Sequence, residues 1–169
     1  MSAPPPPPLL APEHVELIAR GVSTIVASHD LAHRPSLMRA LGSTITPDGR
    51  QVTVFLSRRQ SRQLLSDISS TGHLAVVFSE PASHRTVQVK SRRPRLRAAQ
   101  PDDAPALARY RQAMTHELSL VGFAPAFAQA MLAGALEDLV AVSFEPDEAY
   151  DQTPGPKAGR ALGGDGGTA

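Results

Sequence analysis

The amino-acid sequence predicts a mainly β, α+β fold: an antiparallel barrel carrying peripheral helices. Three observations point there. Short β-branched or alternating runs recur at close intervals, at residues 22–27, 51–56, 74–78 and 86–90. Asp48-Gly49 sits between two apolar runs, which is the mark of a tight hairpin. No Gly-x-Gly-x-x-Gly opens a helix, so the main sequence signal of a parallel dinucleotide-binding sheet is missing.

The elements follow in order. Pro12 suits a first helical position, Glu13 the N-terminal turn, Arg20 the last turn and Gly21 the stop, while Val15, Leu17 and Ile18 form an apolar side. After Gly21 the period changes to a β-branched run over 22–27, and residues 36–45 continue in strand-like fashion to the turn Thr46-Pro47-Asp48-Gly49. Residues 51–56 alternate Val52, Val54 and Leu56 against Thr53 and Phe55. A helix is expected next, with Leu64, Leu65 and Ile68 on one face and Gly72 beyond its end. Residues 74–78 read as a buried strand, and 86–90 as a half-exposed one with Val87 and Val89 on one face. Asp102 or Asp103 can cap a helix in which Leu107, Arg111, Met114 and Leu118 recur at helical spacing. Residues 125–134 form another helix, and 139–144 the last strand.

Composition narrows the class. With 169 residues, 41% of them hydrophobic, the chain is long enough to bury one sizeable core and too short to argue for two large domains. The expected organisation is a disordered Pro-rich tail over 1–9, one domain over 10–160, and a disordered Gly-rich tail over 161–169. The absence of Cys excludes a disulfide framework and a thiol nucleophile. No secretory signal and no membrane span is read from the sequence, so a cytoplasmic location is expected. A formal net charge of +1 gives no general attraction to nucleic acid. There is no Gly-x-Ser-x-Gly elbow, His-Glu-x-x-His motif or Walker loop, and no carboxylate pair on one convincing face.

Chemistry enters at Ser57-Arg58-Arg59-Gln60-Ser61-Arg62, where a strand passes into a helix start carrying three arginines. A helix N-terminus already bears unpaired N–H groups and a partial positive charge, and cations there cost a few tenths to about 1 kcal/mol. An anion should offset them. Ser57 and Gln60 have capping-box spacing, and a phosphate docked beside them would meet N–H groups and guanidinium forks together. A solvated helix face accounts for the same arginines without any ligand.

This succession of helix, strands, hairpin, Ser/Arg-rich helix start and Leu-Ala-Val-Val-Phe strand leads into Ser83-His84-Arg85-Thr86-Val87-Gln88-Val89-Lys90. It resembles the flavin-binding split barrels related to pyridoxamine 5'-phosphate oxidase. The resemblance covers about residues 10–160. It implies an antiparallel split β-barrel with peripheral helices and FMN on its outside at a homodimer interface. The implied activity is that of an oxidoreductase passing hydride between flavin and a small molecule or nicotinamide cofactor.

Carried over, Ser57 and Arg62 fall near the family's phosphate-binding hydroxyl and basic positions, with Arg58 in the same cationic turn. Thr86, after Arg85, falls where the oxidase places a flavin-contacting glutamine, and Gln88 is two residues on along the same strand. Arg39 lies on the strand that supplies another phosphate arginine. His84 and Gln152 are further candidate ligand contacts. Asp151-Gln152-Thr153-Pro154-Gly155-Pro156-Lys157-Ala158-Gly159 looks like the C-terminal signature of a short branch of these proteins. The chain has no Trp and lacks the C-terminal Arg-Leu-x-Pro element that grips pyridoxamine phosphate, so that vitamin is not the expected substrate.

Two other functions are compatible with the sequence. One is a non-catalytic module holding flavin, a deazaflavin or haem on the same barrel. The other is nucleic-acid binding through Arg85, Lys90, Arg92, Arg93, Arg95 and Arg97, which lacks interleaved aromatic residues for base stacking. His29 and His33 are four apart, but Pro35 and the intervening residues argue for a loop and not a metal site.

Overall fold

The structure is a computed structural model that describes residues 8–163; residues 1–7 and 164–169, which hold most of the two expected tails, lie outside the described residues. Helix α1 (Pro12–Ala19) leads into β1 (Ser23–His29), β2 (Pro35–Arg39), β3 (Gly42–Ile45) and β4 (Val52–Ser57). Then come α2 (Arg62–Thr71), β5 (Leu74–Ser79), β6 (Thr86–Ser91) and β7 (Arg95–Ala98). Helices α3 (Ala104–Leu120) and α4 (Pro125–Met131) precede β8 (Leu139–Phe144), β9 (Glu148–Asp151) and β10 (Arg160–Ala161).

The strands form two antiparallel sheets, β10-β9-β6-β5-β1-β2 and β3-β4-β8-β7. This is the split barrel the sequence implied, mainly β with helices outside. What read as one strand over 36–45 is two, because the chain changes sheet at Ala40-Leu41: Ala40 N–H donates to Thr24 O at 2.9 Å and Leu41 N–H to Phe55 O at 2.8 Å. Both groups are buried, so each N–H must find a partner, and they find it in different sheets. On the opposite side Asp147 N–H donates to Lys90 O at 2.8 Å, where the chain returns from β8 to the larger sheet.

The alternation seen in the sequence sorts side chains into two cores. Val26, Val54, Leu56, Val76, Phe78, Val87, Val89 and Val142 fill the space between the sheets, closed by Leu17, Ile18, Leu64 and Ile68 from α1 and α2. Phe55, Leu139 and Ala141 point the other way and meet Leu107, Tyr110, Met114 and Leu118 of α3. Gly42 permits that second contact: a Cβ there would lie 2.6 Å from a Leu107 methyl carbon. Strands β7, β9 and β10 are absent from the sequence reading because they are only two to four residues long, β7 and β10 at sheet edges, and their charged or polar residues leave little periodic signal. Leu162 and Leu9 pack on the first core, and Ala161 pairs with Tyr150, so structure continues a few residues past both expected domain limits.

Phe78 is fully buried between the sheets. Phe78→Ala is expected to cost about 3–5 kcal/mol of stability by cavity formation, read as a lower midpoint in urea unfolding at unchanged slope.

Candidate functional site

The cationic turn is the first place to test. α2 starts at Arg62 and not just after Ser57, so residues 58–61 form a separate turn ahead of the helix. Only one of the two bonds of the expected capping box is formed among the described residues. Ser57 Oγ accepts from Gln60 N–H at 3.3 Å and donates to Asp138 Oδ2 at 2.5 Å. Asp138 also accepts from Arg59 N–H at 3.2 Å, its Oδ1 lies 3.5 Å from Arg59 Nε, and its carbonyl accepts from Arg58 N–H at 2.7 Å. The anion that this turn requires is therefore supplied from 80 residues away in sequence, by a carboxylate just ahead of β8. The Ser57 hydroxyl, and then Arg59, hold the Asp138 carboxyl below its ordinary value.

The three guanidinium groups do not converge. Arg58 lines a hollow with Leu65, Ser66 and Arg97, Arg59 turns to Asp138, and Arg62 is exposed with no side-chain bond among the described residues. Ser61, which precedes Arg62, is the residue that sequence reasoning passed over. It is buried, and its Oγ has no hydrogen-bond partner among the described residues. A hydroxyl between the polar neighbours Gln60 and Arg62 gives no sequence signal of being an orphan; only the late helix start reveals it.

The remaining site residues gather on the larger sheet. Register places Arg39, Ile25, Val77, Gln88 and Tyr150 in one row across β2, β1, β5, β6 and β9. Ser23, Ser79 and Thr86 form the next row, and Leu37, Ala27, Ala75, Lys90 and Glu148 the one on the other side. These are the half-buried residues of β1, β5 and β6, whose alternate neighbours fill the barrel. The face is apolar at its centre, with amides, hydroxyls and cations around it. Gln152 Nε2 donates to Gln88 Oε1 at 3.4 Å, Ser79 and Thr86 share a hydroxyl hydrogen bond of 2.8 Å, and Thr86 Oγ1 donates to His84 O at 2.9 Å. Arg85 stands beside this group, lining a smaller hollow with His14, Asp151 and Thr153.

One end of the face holds a histidine pair. His29 Nδ1 lies 2.8 Å from the carbonyl of Asp30, an acceptor only, so this nitrogen carries the proton. His29 Nε2 then accepts from His73 Nδ1, 2.8 Å away, which leaves the lone pair of neutral His73 on Nε2. Both histidines line a hollow of about 310 Å³ with Lys90, Arg92 and Glu148. No group of three or more His, Cys, Asp or Glu among the described residues is arranged to hold a metal ion.

Half of the basic cluster considered for nucleic acid is engaged within the chain. Lys90 Nζ sits 4.8 Å from the Tyr150 ring centre, Arg92 lies 3.6 Å from Glu148, and Arg97 makes two bonds to Asp103. No helix among the described residues is long and apolar enough to cross a membrane.

No protein-family model and no curated protein matches the chain. Solved structures do. A Lactobacillus delbrueckii protein, described as a candidate pyridoxamine 5'-phosphate oxidase, superposes with a TM-score of 0.54 at 14% identity, covering 83% of this chain and 93% of its own. HupZ from Group A Streptococcus gives 0.54 at 13% identity, covering 89% and 99%. A variant of HupZ gives 0.51 at 11%, covering 83% and 98%. At such identities the likeness establishes the fold, and the protein is a split barrel of this architecture.

Asp138→Asn tests the internal neutralisation. A carboxyl with a lowered folded-state value contributes stability above its unfolded value, about 3.9, and loses it as pH falls through the folded one. The wild-type melting temperature should therefore exceed that of the variant near neutral pH, with the difference shrinking below about pH 4.

Proposed function

We propose that the protein is an FMN-binding flavoprotein acting as an oxidoreductase, with the flavin held on the outer face of the six-stranded sheet in a homodimer. The observation that carries this reading is the register that brings Thr86, Gln88 and Gln152 beside the apolar pair Ile25 and Val77 on a face no helix covers at its centre. A flat heterocycle needs such a surface: apolar beneath, with amides and hydroxyls at the rim to meet its polar edge. The resemblance of the residue pattern to the pyridoxamine 5'-phosphate oxidase relatives supports the choice of flavin.

The phosphate end is assigned to the start of α2, where exposed Arg62 and helix N–H groups without a partner among the described residues offer charge and donors together. Ser57 and Arg58 flank it from the turn. Arg58 and the sheet-face residues Ala27, Ala75 and Lys90 line different hollows of one chain, so a second copy laid on the face would join the halves into one cleft. Bound flavin would supply the hydride chemistry, with a nicotinamide cofactor or small organic molecule as donor. The chain's part is to seat the ring, hold its phosphate and exclude water.

A second reading is favoured by the histidine pair. His73 Nε2, a bare imidazole nitrogen oriented through His29, would be the residue to hold the iron in a haem-carrying module.

Titrating purified protein with FMN and following quenching of flavin fluorescence decides between them. Saturable uptake and a dimer by light scattering are expected. Arg62→Gln should weaken FMN by about tenfold without moving the melting temperature, since it removes an exposed side chain that holds nothing in the fold. Haem uptake that His73→Ala abolishes, with no FMN uptake, would transfer the assignment to the second reading.

A further inference from the structure

We propose that the hollow beneath α3 and α4 is the binding site for an organic anion with an apolar aromatic body, and that this is the substrate class of the flavoprotein; the substrate role rests on the flavin reading, the binding site does not. The hollow holds about 350 Å³ and lies where the helical pair overhangs one end of the sheet face. Its floor is polar, with Ser23, Arg39, Ser79 and His84, and its wall is apolar, with Met114, Phe123, Phe127 and Met131.

Arg39 sets the charge. Its guanidinium is half-buried, and its one side-chain bond among the described residues is Nη1 to Ser23 Oγ at 2.8 Å. No carboxylate pairs with it, although Arg20, Arg34, Arg59, Arg92 and Arg97 each have one. A guanidinium drawn partly out of water needs an anion, and the planar fork fits a carboxylate. The Ser23 hydroxyl engages one amino group and leaves the rest of the fork for a ligand.

The wall sets the body. Phe123 and Phe127 stack with ring centres 4.5 Å apart yet remain 45% and 46% exposed. Two aromatic rings left that open at the mouth of a hollow lose their burial energy unless something apolar covers them. Met114 and Met131 add flexible thioethers, which adapt to an aromatic ligand and contact it through sulfur. The helices that the sequence left without a role become the lid of this site.

His84 provides a separate indication. It occupies a left-handed backbone conformation, φ 61°, where Gly is the inexpensive residue. A histidine kept at that position brings a polar ring to the floor of the hollow at a cost in backbone energy, as residues of binding sites do.

The chain has no Trp, so the fluorescence of a naphthalene probe is read without interference. Full-length protein is titrated with 2-naphthoate and with its uncharged counterpart 2-naphthalenemethanol, each with and without FMN, while flavin occupancy is followed by native mass spectrometry. Naphthoate should bind about ten- to a hundredfold tighter than the alcohol, the range of a charge-assisted hydrogen bond, and Arg39→Met should erase that preference. Phe127→Ala, an exposed change that leaves the fold intact, should weaken both probes by about tenfold. FMN should not displace naphthoate. Equal binding of the two probes, or none by wild type because a second copy covers the mouth, overturns the site. Competition by FMN also overturns it, by giving Arg39 to the cofactor's phosphate. Selective naphthoate binding by protein that takes up no flavin upholds the site and removes only its role as an enzyme's substrate pocket.

Discussion

The architecture depends on the corner at Ala40-Leu41, where successive N–H groups are donated to different sheets. A continuous strand would have put both groups on one ladder and kept the chain in a single sheet. Because Thr24 O takes one and Phe55 O the other, β2 becomes the edge of the six-stranded sheet and β3 the edge of the four-stranded one. The two sheets are thereby held face to face without sharing a strand. Each then has an inner face committed to the common core and an outer face that must be dealt with separately.

The outer faces have opposite fates, and the difference is written in a few residues of each sheet. On the smaller sheet, Gly42 lies beside Phe55, and the missing Cβ lets Leu107 of α3 settle onto the aromatic ring. Helix cover follows, with Tyr110 of α3 fastened by its hydroxyl to Val22 O at 2.8 Å. Burial pushes the ionisation of that hydroxyl upward, so it serves as a neutral donor and a fixed strut. On the larger sheet the corresponding positions carry Ile25, Val77 and Gln88, side chains that fill the pleat but attract no helix of this chain. Leu37 at its edge is 64% exposed. A sheet with one face solvated is stable, yet an apolar strip in the middle of that face loses burial energy unless a ligand or another copy lies on it.

Much of this was legible in the sequence, and the reasons divide cleanly. Period-2 alternation in 51–56 and 86–90 set apart Val52, Val54, Leu56, Val87 and Val89, all of which lie in the core, because those strands are constrained on the buried face. The Gly72 stop was equally clear: the residue takes φ 69°, and a Cβ there would meet Arg92 O at 2.9 Å. The short strands β7, β9 and β10 left no such mark. The cationic turn was misread for a different reason. Local sequence showed three positive charges at a helix start and no negative one, while the compensating Asp138 is brought in by the pairing of β4 with β8. No window around residue 60 could contain it. The same limit applies to the sheet face, since Arg39, Gln88 and Gln152 are separated along the chain by most of the fold and are united only by register.

That contrast distinguishes charges that stabilise the fold from charges left available to a ligand. Arg59 and Arg97 each meet a carboxylate, and the Arg97 fork grips Asp103 through two nitrogens at 2.7 and 2.8 Å. The hydrogen bond from Arg97 holds the Asp103 carboxyl below its ordinary value, as expected of a pair that remains ionised to fix β7 against the turn entering α3. Among the described residues Arg39 bonds only to the Ser23 hydroxyl and has no carboxylate, in a hollow whose floor is otherwise Ser79 and His84 and whose wall is apolar. Folding alone gives no reason to place a guanidinium there, because the same row position filled by Met or Leu would extend the strip of Ile25 and Val77 without leaving a charge unpaired. The arginine is best accounted for by an anion that arrives from outside.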